Sequence, residues 1–425
     1  MPEAVIVSAA RSPIGRAFKG SLKDLRPDVL AEQIVRSALA SVPELDPTRI
    51  DDLMMGCAQP AGEQGYNIGR VVGVRLGLDA VPGTTVHRYC ASSLQTTRMA
   101  FHAIRAGEGD AFVSAGVECV SRYERGKADG MPDTKAEEFL KAGERGAARV
   151  AAGEAWTDPR EASDLPDYHL AMGETAENVA EMYGITREAQ DEWGVRSQNR
   201  AESAAARGFW ERDITPVTLP SGEVVSTDDG PRAGVTLEKV AGLKPVFREN
   251  GTITAGNCCP LNDGAAALVI MSDVRAEALG IRPLARIFST GVSGLSPEIM
   301  GLGPVDASRQ ALARAGLSAD DIDLVEMNEA FAAQVLPSIA QIGLDPERVN
   351  VNGGAIALGH PFGSTGARLT TTLLHGLQET GGRYGLETMC AAGGPTRRPG
   401  AAGRGRPSRG RRSRGCAGCS PASRS

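Results

Sequence analysis

The chain has 425 residues, 41% of them hydrophobic but only 4% aromatic, with 52 glycines, a size for about two to three domains and a composition that excludes disordered and fibrous classes. Its net charge of −6 is uneven: residues 391–425 hold nine arginines and no acidic residue, so residues 1–390 carry −15. An acidic body argues against a nucleic-acid surface there, and no run of eighteen apolar residues offers a membrane span.

The N-terminus enters a strand with no basic leader, so an unexported, cytoplasmic protein is expected. The eight cysteines, at 57, 90, 119, 258, 259, 390, 416 and 419, are sparse and form no pair of CxxC units. Reduced thiols are expected, with no metal site and room for a catalytic cysteine.

In chain order, Ala4–Ser8 reads as a buried strand, Arg11–Gly15 as a turn, and residues 26–39 as a helix with Leu30, Ile34, Val35 and Leu39 inward. Asp51–Met55 is a second strand and Asn67–Leu76 a helix. Gly83–Val86 has strand composition, and Ser92 onward turns helical on the spacing of Leu94, Ala100, Phe101 and Ile104. Cys90 therefore lies where a strand passes into a helix, where first-turn N–H groups and the helix dipole favour a thiolate. Ala111–Val117 is another buried strand. This strand–helix rhythm indicates an α/β protein.

Between residues 120 and 250 the rhythm breaks and charge rises. Arg122–Arg160 reads as loop and short helix, Met172–Tyr183 as a helix stopped by Gly184, and Thr186 as the cap of a helix to about Arg207. Ser221–Gly230 and Asp228–Gly234 are polar loops. This segment reads as an inserted lid.

An internal repeat links the ends of the chain. Leu45–Gly56 matches Leu317–Asn328 in pattern, each after an Ala/Leu/Arg helix, and the distances onward from Ile50 to Cys90 and from Ile322 to His360 nearly agree. Two copies of one α/β unit would then present Cys90 and His360 at equivalent helix starts, a pairing suited to a nucleophile and its base. Pro361 suits a first helical position, and the glycines of Gly353–Gly366 allow close approach around His360. The strand Tyr384–Met389 ends at Cys390, which with Cys90 and His360 suggests a second acid/base of higher pKa.

The chain resembles the thiolases, of the acetyl-CoA acyltransferase type. The matching pieces are Glu3-Ala-Val-Ile-Val-Ser-Ala-Ala-Arg-Ser-Pro-Ile-Gly15, Arg88-Tyr-Cys-Ala-Ser92, Ser114-Ala-Gly-Val-Glu118, Met172-Gly-Glu-Thr-Ala-Glu177, Thr254–Gly264, Asn328-Glu-Ala-Phe331, Gly359-His-Pro-Phe-Gly-Ser-Thr-Gly366 and Glu387-Thr-Met-Cys390, in family order across residues 1–390. The resemblance implies a five-layered α-β-α-β-α fold of two similar halves, with residues 1–120 and 251–390 as the halves and 121–250 as a loop domain covering coenzyme A.

It implies Cys90 as nucleophile, His360 as its base, Cys390 as the acid that protonates an acetyl-CoA enolate, and Asn328 as holder of a water on the enolate oxygen. Backbone N–H groups of Cys90 and Ala392 would form a second oxyanion site. Met172, Arg232, Ala255, Gly256 and Cys259 would face CoA, and Phe331 the acyl end. CoA is a co-substrate, no cofactor or metal is needed, and a homodimer or homotetramer is expected. The implied activity is thiolysis of 3-ketoacyl-CoA in fatty-acid breakdown. Acetyl-CoA acetyltransfer and CoA binding with impaired activity are the alternatives.

Four positions depart from the family pattern: His87 for Asn, Ser93 for Gly, Cys259 for Ser, and an Arg/Gly/Pro/Ser tail over 391–425 in place of a glycine-rich turn and an apolar strand. The first two are expected to narrow the pocket. The tail is expected to be disordered, to leave a sheet edge uncovered, and to have the composition of a shifted reading frame. Its Cys416-Ala-Gly-Cys419 reads as accidental.

Overall fold

The computed structural model describes residues 1–125 and 135–391 and the backbone of 396–402. The first half opens with β1 (Ala4–Arg11), the short β2 (Gly15–Arg16) and α1 (Pro27–Ala40), then β3 (Asp52–Gly56) and α2 (Ile68–Arg75). β4 (Gly83–Val86), α3 (Ser92–Ala106) and β5 (Ala111–Cys119) follow. The inserted segment carries α4 (Glu137–Ala151), α5 (Met172–Tyr183), α6 (Arg187–Ala206) and α7 (Phe209–Asp213), a hairpin of β6 (Val217–Thr218) with β7 (Val224–Val225), and α8 (Leu237–Ala241). Next come β8 (Asn262–Ser272), α9 (Asp273–Ala278), β9 (Ala285–Ser293), α10 (Pro304–Ala315), β10 (Leu324–Met327) and α11 (Ala332–Ile342). The short α12 (Ala355–Leu358), α13 (Thr365–Thr380), β11 (Tyr384–Thr388) and β12 (Thr396–Ala402) complete the order.

β8 is buried along its whole length, because side chains alternate across a strand and both faces are covered. Ala265, Ala267, Val269 and Met271 pack with Leu30, Ile34 and Val35 of α1, whereas Ala266, Leu268 and Ile270 pack with Ala100 and Ile104 of α3 and Ala367 and Leu374 of α13. The second half repeats the arrangement. Val325, Met327 and Leu386 face α10 and α11, while Leu324 meets Leu373 and Leu377 of α13. Helix, sheet, helix, sheet, helix is thus the order of layers, as expected, with α3 and α13 in the middle.

The strand order exposes the repeat. In the first half β1-β8-β5-β3-β4 runs antiparallel, antiparallel, parallel, parallel. In the second, β9-β12-β11-β10 runs antiparallel, antiparallel, parallel, and Val349 bridges Val325 in parallel where β4 would lie. A two-residue pairing of β1 with β9 joins the halves into one sheet.

Three expectations change. β8 hydrogen-bonds between β1 and β5, so the first half reclaims a strand after the insertion, and the chain enters the second half beyond the boundary read at residue 251. Within Arg122–Arg160 the helix α4 is fifteen residues long. The backbone of Thr396–Ala402, in the tail expected to be disordered, lies between β9 and β11 and fills the edge expected to be bare. Main-chain pairing needs no apolar sequence, but Pro399 has no N–H to give, and the register with β9 slips between Pro399 and Ala401. Residues 392–395 and 403–425, and with them Ala392 and Cys416–Cys419, lie outside the described residues.

Leu374 is 2% exposed in the middle layer, between both sheets. Leu374→Ala is expected to lower the unfolding free energy by about 2–5 kcal/mol, measured by denaturant titration.

Candidate active site

Cys90 sits in a single 3-10 turn, Tyr89–Ala91, between β4 and α3. Tyr89 holds φ at +42°, a left-handed conformation that costs a residue with a side chain about 1–2 kcal/mol. Ser92 secures it: its Oγ donates to the Tyr89 carbonyl at 2.6 Å and accepts the Arg88 N–H at 2.9 Å. His87 packs edge-on against Tyr89, and its Nδ1 lies 3.3 Å from the Cys57 carbonyl. Ser93, expected to narrow the pocket, is fully buried, and its Oγ accepts the Ala367 N–H at 3.0 Å, tying α3 to α13.

His360 is held from three sides. Its N–H donates to Asn262 Oδ1 at 2.9 Å, and Gly359 before it has φ +116°, where a Cβ would lie 2.6 Å from the Asn262 side chain, so only glycine fits. Nδ1 lies 2.7 Å from Thr365 Oγ1, and Nε2 lies 3.2 Å from Asn328 Nδ2. The Thr365 hydroxyl has one proton and gives it to the Pro361 carbonyl at 2.9 Å. Toward His360 it is therefore the acceptor, which assigns the imidazole proton to Nδ1 and leaves the Nε2 lone pair facing Asn328. Pro361 does not open the helix. It caps a 3-10 turn, Phe362–Ser364, and α13 begins at Thr365.

Burial, then the positive Arg368 nearby, push the His360 pKa down to about 3, so the ring is neutral across the physiological range. Cys390, fully buried at the end of β11, directs its thiol to Gln334 Oε1 at 3.3 Å. Burial pushes its pKa up to about 12, which keeps the proton on sulfur at neutral pH. Burial likewise raises Cys259 well above the usual thiol range, with Cys258, Cys90 and Cys390 adding to the effect, so Cys259 lies within electrostatic reach of the sulfurs from both halves. The strand and helix ends thus gather a strained-turn cysteine, a neutral base and a protonated thiol, the parts required for acyl transfer to and from sulfur.

Arg232, Ala255, Gly256 and Cys259 line one cavity of about 170 Å³, shared with Arg16 and Gln198. The Arg232 N–H donates to Gln198 Oε1 at 2.9 Å. Met172 and Phe331 do not line that cavity; they belong to an apolar cluster with Cys390, Met300 and Ile253, against which Cys259 also packs. Phe247 stacks edge-on against Phe331 at 6.2 Å.

Sequence reading missed four supports. Thr365, Asn262 and Gln334 hold His360 and Cys390 as described, and none has a spacing that announces it. Glu118 is the fourth: fully buried, it accepts from Ala58 N, Gln64 Nε2, Tyr123 Oη and, at 2.9 Å, the N–H of Gly363 in the turn after His360. A charge closing the apolar strand Ala111–Val117 was its signal.

Residues 4–274 match the family model described as thiolase, N-terminal domain, and residues 281–398 the thiolase, C-terminal domain. The chain belongs to the thiolase family. It is 41% identical to a 3-ketoacyl-CoA thiolase of Bacillus subtilis, over 93% of this chain and 97% of that protein. It is 45% identical to a 3-oxoadipyl-CoA/3-oxo-5,6-dehydrosuberyl-CoA thiolase of Escherichia coli, over 92% and 96%. The crystal structure of an acetyl-CoA acetyltransferase from Bacillus anthracis matches at TM-score 0.82 and 37% identity, over 95% of this chain and 99% of that one. This thiolase is thus an acyltransferase, and no helix among its described residues is long and apolar enough to cross a membrane.

The depressed His360 pKa links stability to pH. The unfolded chain takes up a proton near pH 6.5 that the folded site refuses until about 3, so stability falls as pH drops through that window. By pH 5 the loss is about 2 kcal/mol. Buried Glu326, raised to about 8, shifts stability the opposite way over this range, so the His360 contribution is expected as a difference. Between pH 7 and 5 the parent should lose about 2 kcal/mol relative to His360→Asn, measured by denaturant titration of both.

Proposed function

We propose that this thiolase cleaves 3-ketoacyl-CoA with free CoA through an acyl-enzyme on Cys90. His360 Nε2 takes the Cys90 proton, and the thiolate attacks the 3-keto carbon. The C2–C3 bond breaks, its electron pair leaves as the acetyl-CoA enolate, and the Cys390 thiol protonates that carbon. The Cys390 thiolate then takes the proton of incoming CoA, whose sulfur attacks the Cys90 thioester. Acyl-CoA departs, and the proton on His360 returns to Cys90. The observation that carries the reading is the His360 ring, whose proton is held at Nδ1 by Thr365 so that Nε2 can accept one, set against the Cys390 thiol turned to Gln334 Oε1.

An enolate is a poor leaving group unless its oxygen is stabilised, and one donor of that kind is typically worth about 10²–10³ in rate. The protonated His360 Nε2 and the adjoining Asn328 are suited to that task. The cavity bearing Arg232, Ala255, Gly256 and Cys259 suits the pantetheine arm and phosphates of CoA as co-substrate.

For the acyl group, the apolar cluster of Met172, Met300 and Phe331 around Cys390 supports an aliphatic chain, as in fatty-acid breakdown, over one ending in a carboxylate such as 3-oxoadipyl. A buried carboxylate without a cation loses several kcal/mol. Acetoacetyl-CoA made from two acetyl-CoA is the same chemistry run backward, and an apolar surrounding suits its short chain equally.

Thiolysis should follow this order: kcat/KM for acetoacetyl-CoA and medium-chain 3-ketoacyl-CoA is expected to exceed that for 3-oxoadipyl-CoA by about tenfold or more, one factor of ten being about 1.4 kcal/mol. The reverse order would assign the dicarboxylate substrate, and CoA binding without turnover would favour the impaired-binder reading. With radiolabelled acyl-CoA, Cys90→Ala is expected to abolish covalent labelling; labelling that persists overturns the nucleophile assignment.

A further inference from the structure

Behind the proposed catalytic groups lies a second set of buried charges that the mechanism does not use. Glu326 of β10 and Glu387 of β11 are register partners on adjacent parallel strands, so their carboxyls leave the sheet on the same face. That face meets α13, where Arg368 places Nη1 3.9 Å from Glu326 Oε2, and Thr370 donates to Glu387 Oε2 at 2.5 Å. Arg368, Glu326 and Glu387 are 1%, 3% and 0% exposed. Three guanidinium nitrogens, Glu326 Oε2 and Glu387 Oε1 have no hydrogen-bond partner among the described residues. A fork of donors thus stands among acceptors without closing on them.

Each member leads directly to a group of the site. Glu326 is two residues before Asn328, Glu387 three before Cys390, and Arg368 one turn after Thr365, which holds the His360 ring. The geometry points to Arg368, Glu326 and Glu387 as a positioning unit that holds the Asn328 strand, the Cys390 strand and the His360 helix in one arrangement and keeps a fixed positive charge behind His360. This inference rests on the acyl-transfer reading above only for the roles of the three groups being positioned.

Electrostatics agree with the geometry. Burial raises both glutamates, Glu326 up to about 8 with Arg368 opposing and Glu329 and Asp213 adding, and Glu387 well above the usual carboxyl range with Thr370 and Arg368 opposing and Glu326 adding. Arg368 is balanced over a wider cluster. Arg11 pairs with Asp213 at 2.5 Å and Asp228 at 2.7 Å, and Thr372 and His375, on the turns of α13 after Arg368, also reach Asp213. Two guanidinium groups and two aspartates compensate one another while the glutamates keep their protons. After burial, the nearby positive charge of Arg368 is what opposes protonation of His360.

The test uses the full chain labelled with 15N-histidine, titrated by NMR, alongside thiolysis kinetics. In the parent protein the His360 ring is expected to stay neutral down to about pH 4. Arg368→Met is expected to raise the His360 titration and lower kcat by about tenfold or more, with KM changed less than about twofold, because no CoA contact is touched. Glu387→Gln, neutral and of the same shape, is expected to leave the His360 titration in place. An unmoved titration in a folded Arg368→Met overturns the proposal, as does a parallel change in kcat and KM.

If Arg368→Met does not fold, Arg368→Lys decides, since it keeps the charge and loses the fork: an unmoved His360 titration with lowered kcat supports the unit, and a raised titration overturns it. The NMR reading needs no turnover. A protein without thiolysis would therefore overturn the acyl-transfer reading and still test this one.

Discussion

The site depends on two helix starts meeting with no side chain between them. A Cβ on Gly366 at the head of α13 would fall 2.3 Å from Leu94 N in α3, and one on Gly116 would fall 2.2 Å from Gly363 O. Glycine here allows backbone to pack on backbone. Main-chain polar groups brought so close need partners, because an unmade buried bond costs about 1–3 kcal/mol. Ser93 takes the Ala367 N–H and Glu118 takes those of Ala58 and Gly363. The same contacts that satisfy the backbone fix the distance between the Cys90 turn and the His360 turn.

Close packing also sets the chemistry. Excluding water raises thiols and lowers imidazoles, so one physical cause leaves Cys390 protonated and His360 neutral. A base and an acid of these kinds, exposed to water, would both sit nearer their ordinary values and lose the contrast on which the proposed acyl transfer relies. The hydrogen bond from His360 to Thr365 then selects which ring nitrogen is free, a choice that burial alone cannot make.

The layer order and the place of Asn328 came from the resemblance to the thiolases. The repeat and the meeting of the Cys90 and His360 turns were legible in the sequence because each leaves a local trace: matched spacing after Ile50 and Ile322, glycines at 359, 363 and 366. The supports were not, since Asn262 reaches His360 across 98 residues and Glu118 reaches Gly363 across 245, and no periodicity encodes such contacts. The return of β8 to the first half was hidden for the same reason. A buried strand after an insertion looks alike whichever sheet receives it. Ser93 shows the opposite hazard: a departure beside the nucleophile suggested the pocket, yet its hydroxyl serves the helix contact.

The repeat explains why two copies of one unit yield unlike groups. At the strand-to-helix turn the first half carries a cysteine next to the strained Tyr89 and the second a histidine clamped on three sides, so the fold gives both an equivalent place while local contacts decide what each does. The next strand ends repeat the contrast. Near the end of β5, Glu118 spends its carboxyl holding the His360 turn, whereas just past β11 Cys390 turns its thiol proton to the Gln334 amide. On the proposed mechanism one half thus provides the nucleophile and the brace for the base, and the other provides the base and the acid. Neither half holds a complete site, so their joined packing is a condition of the chemistry.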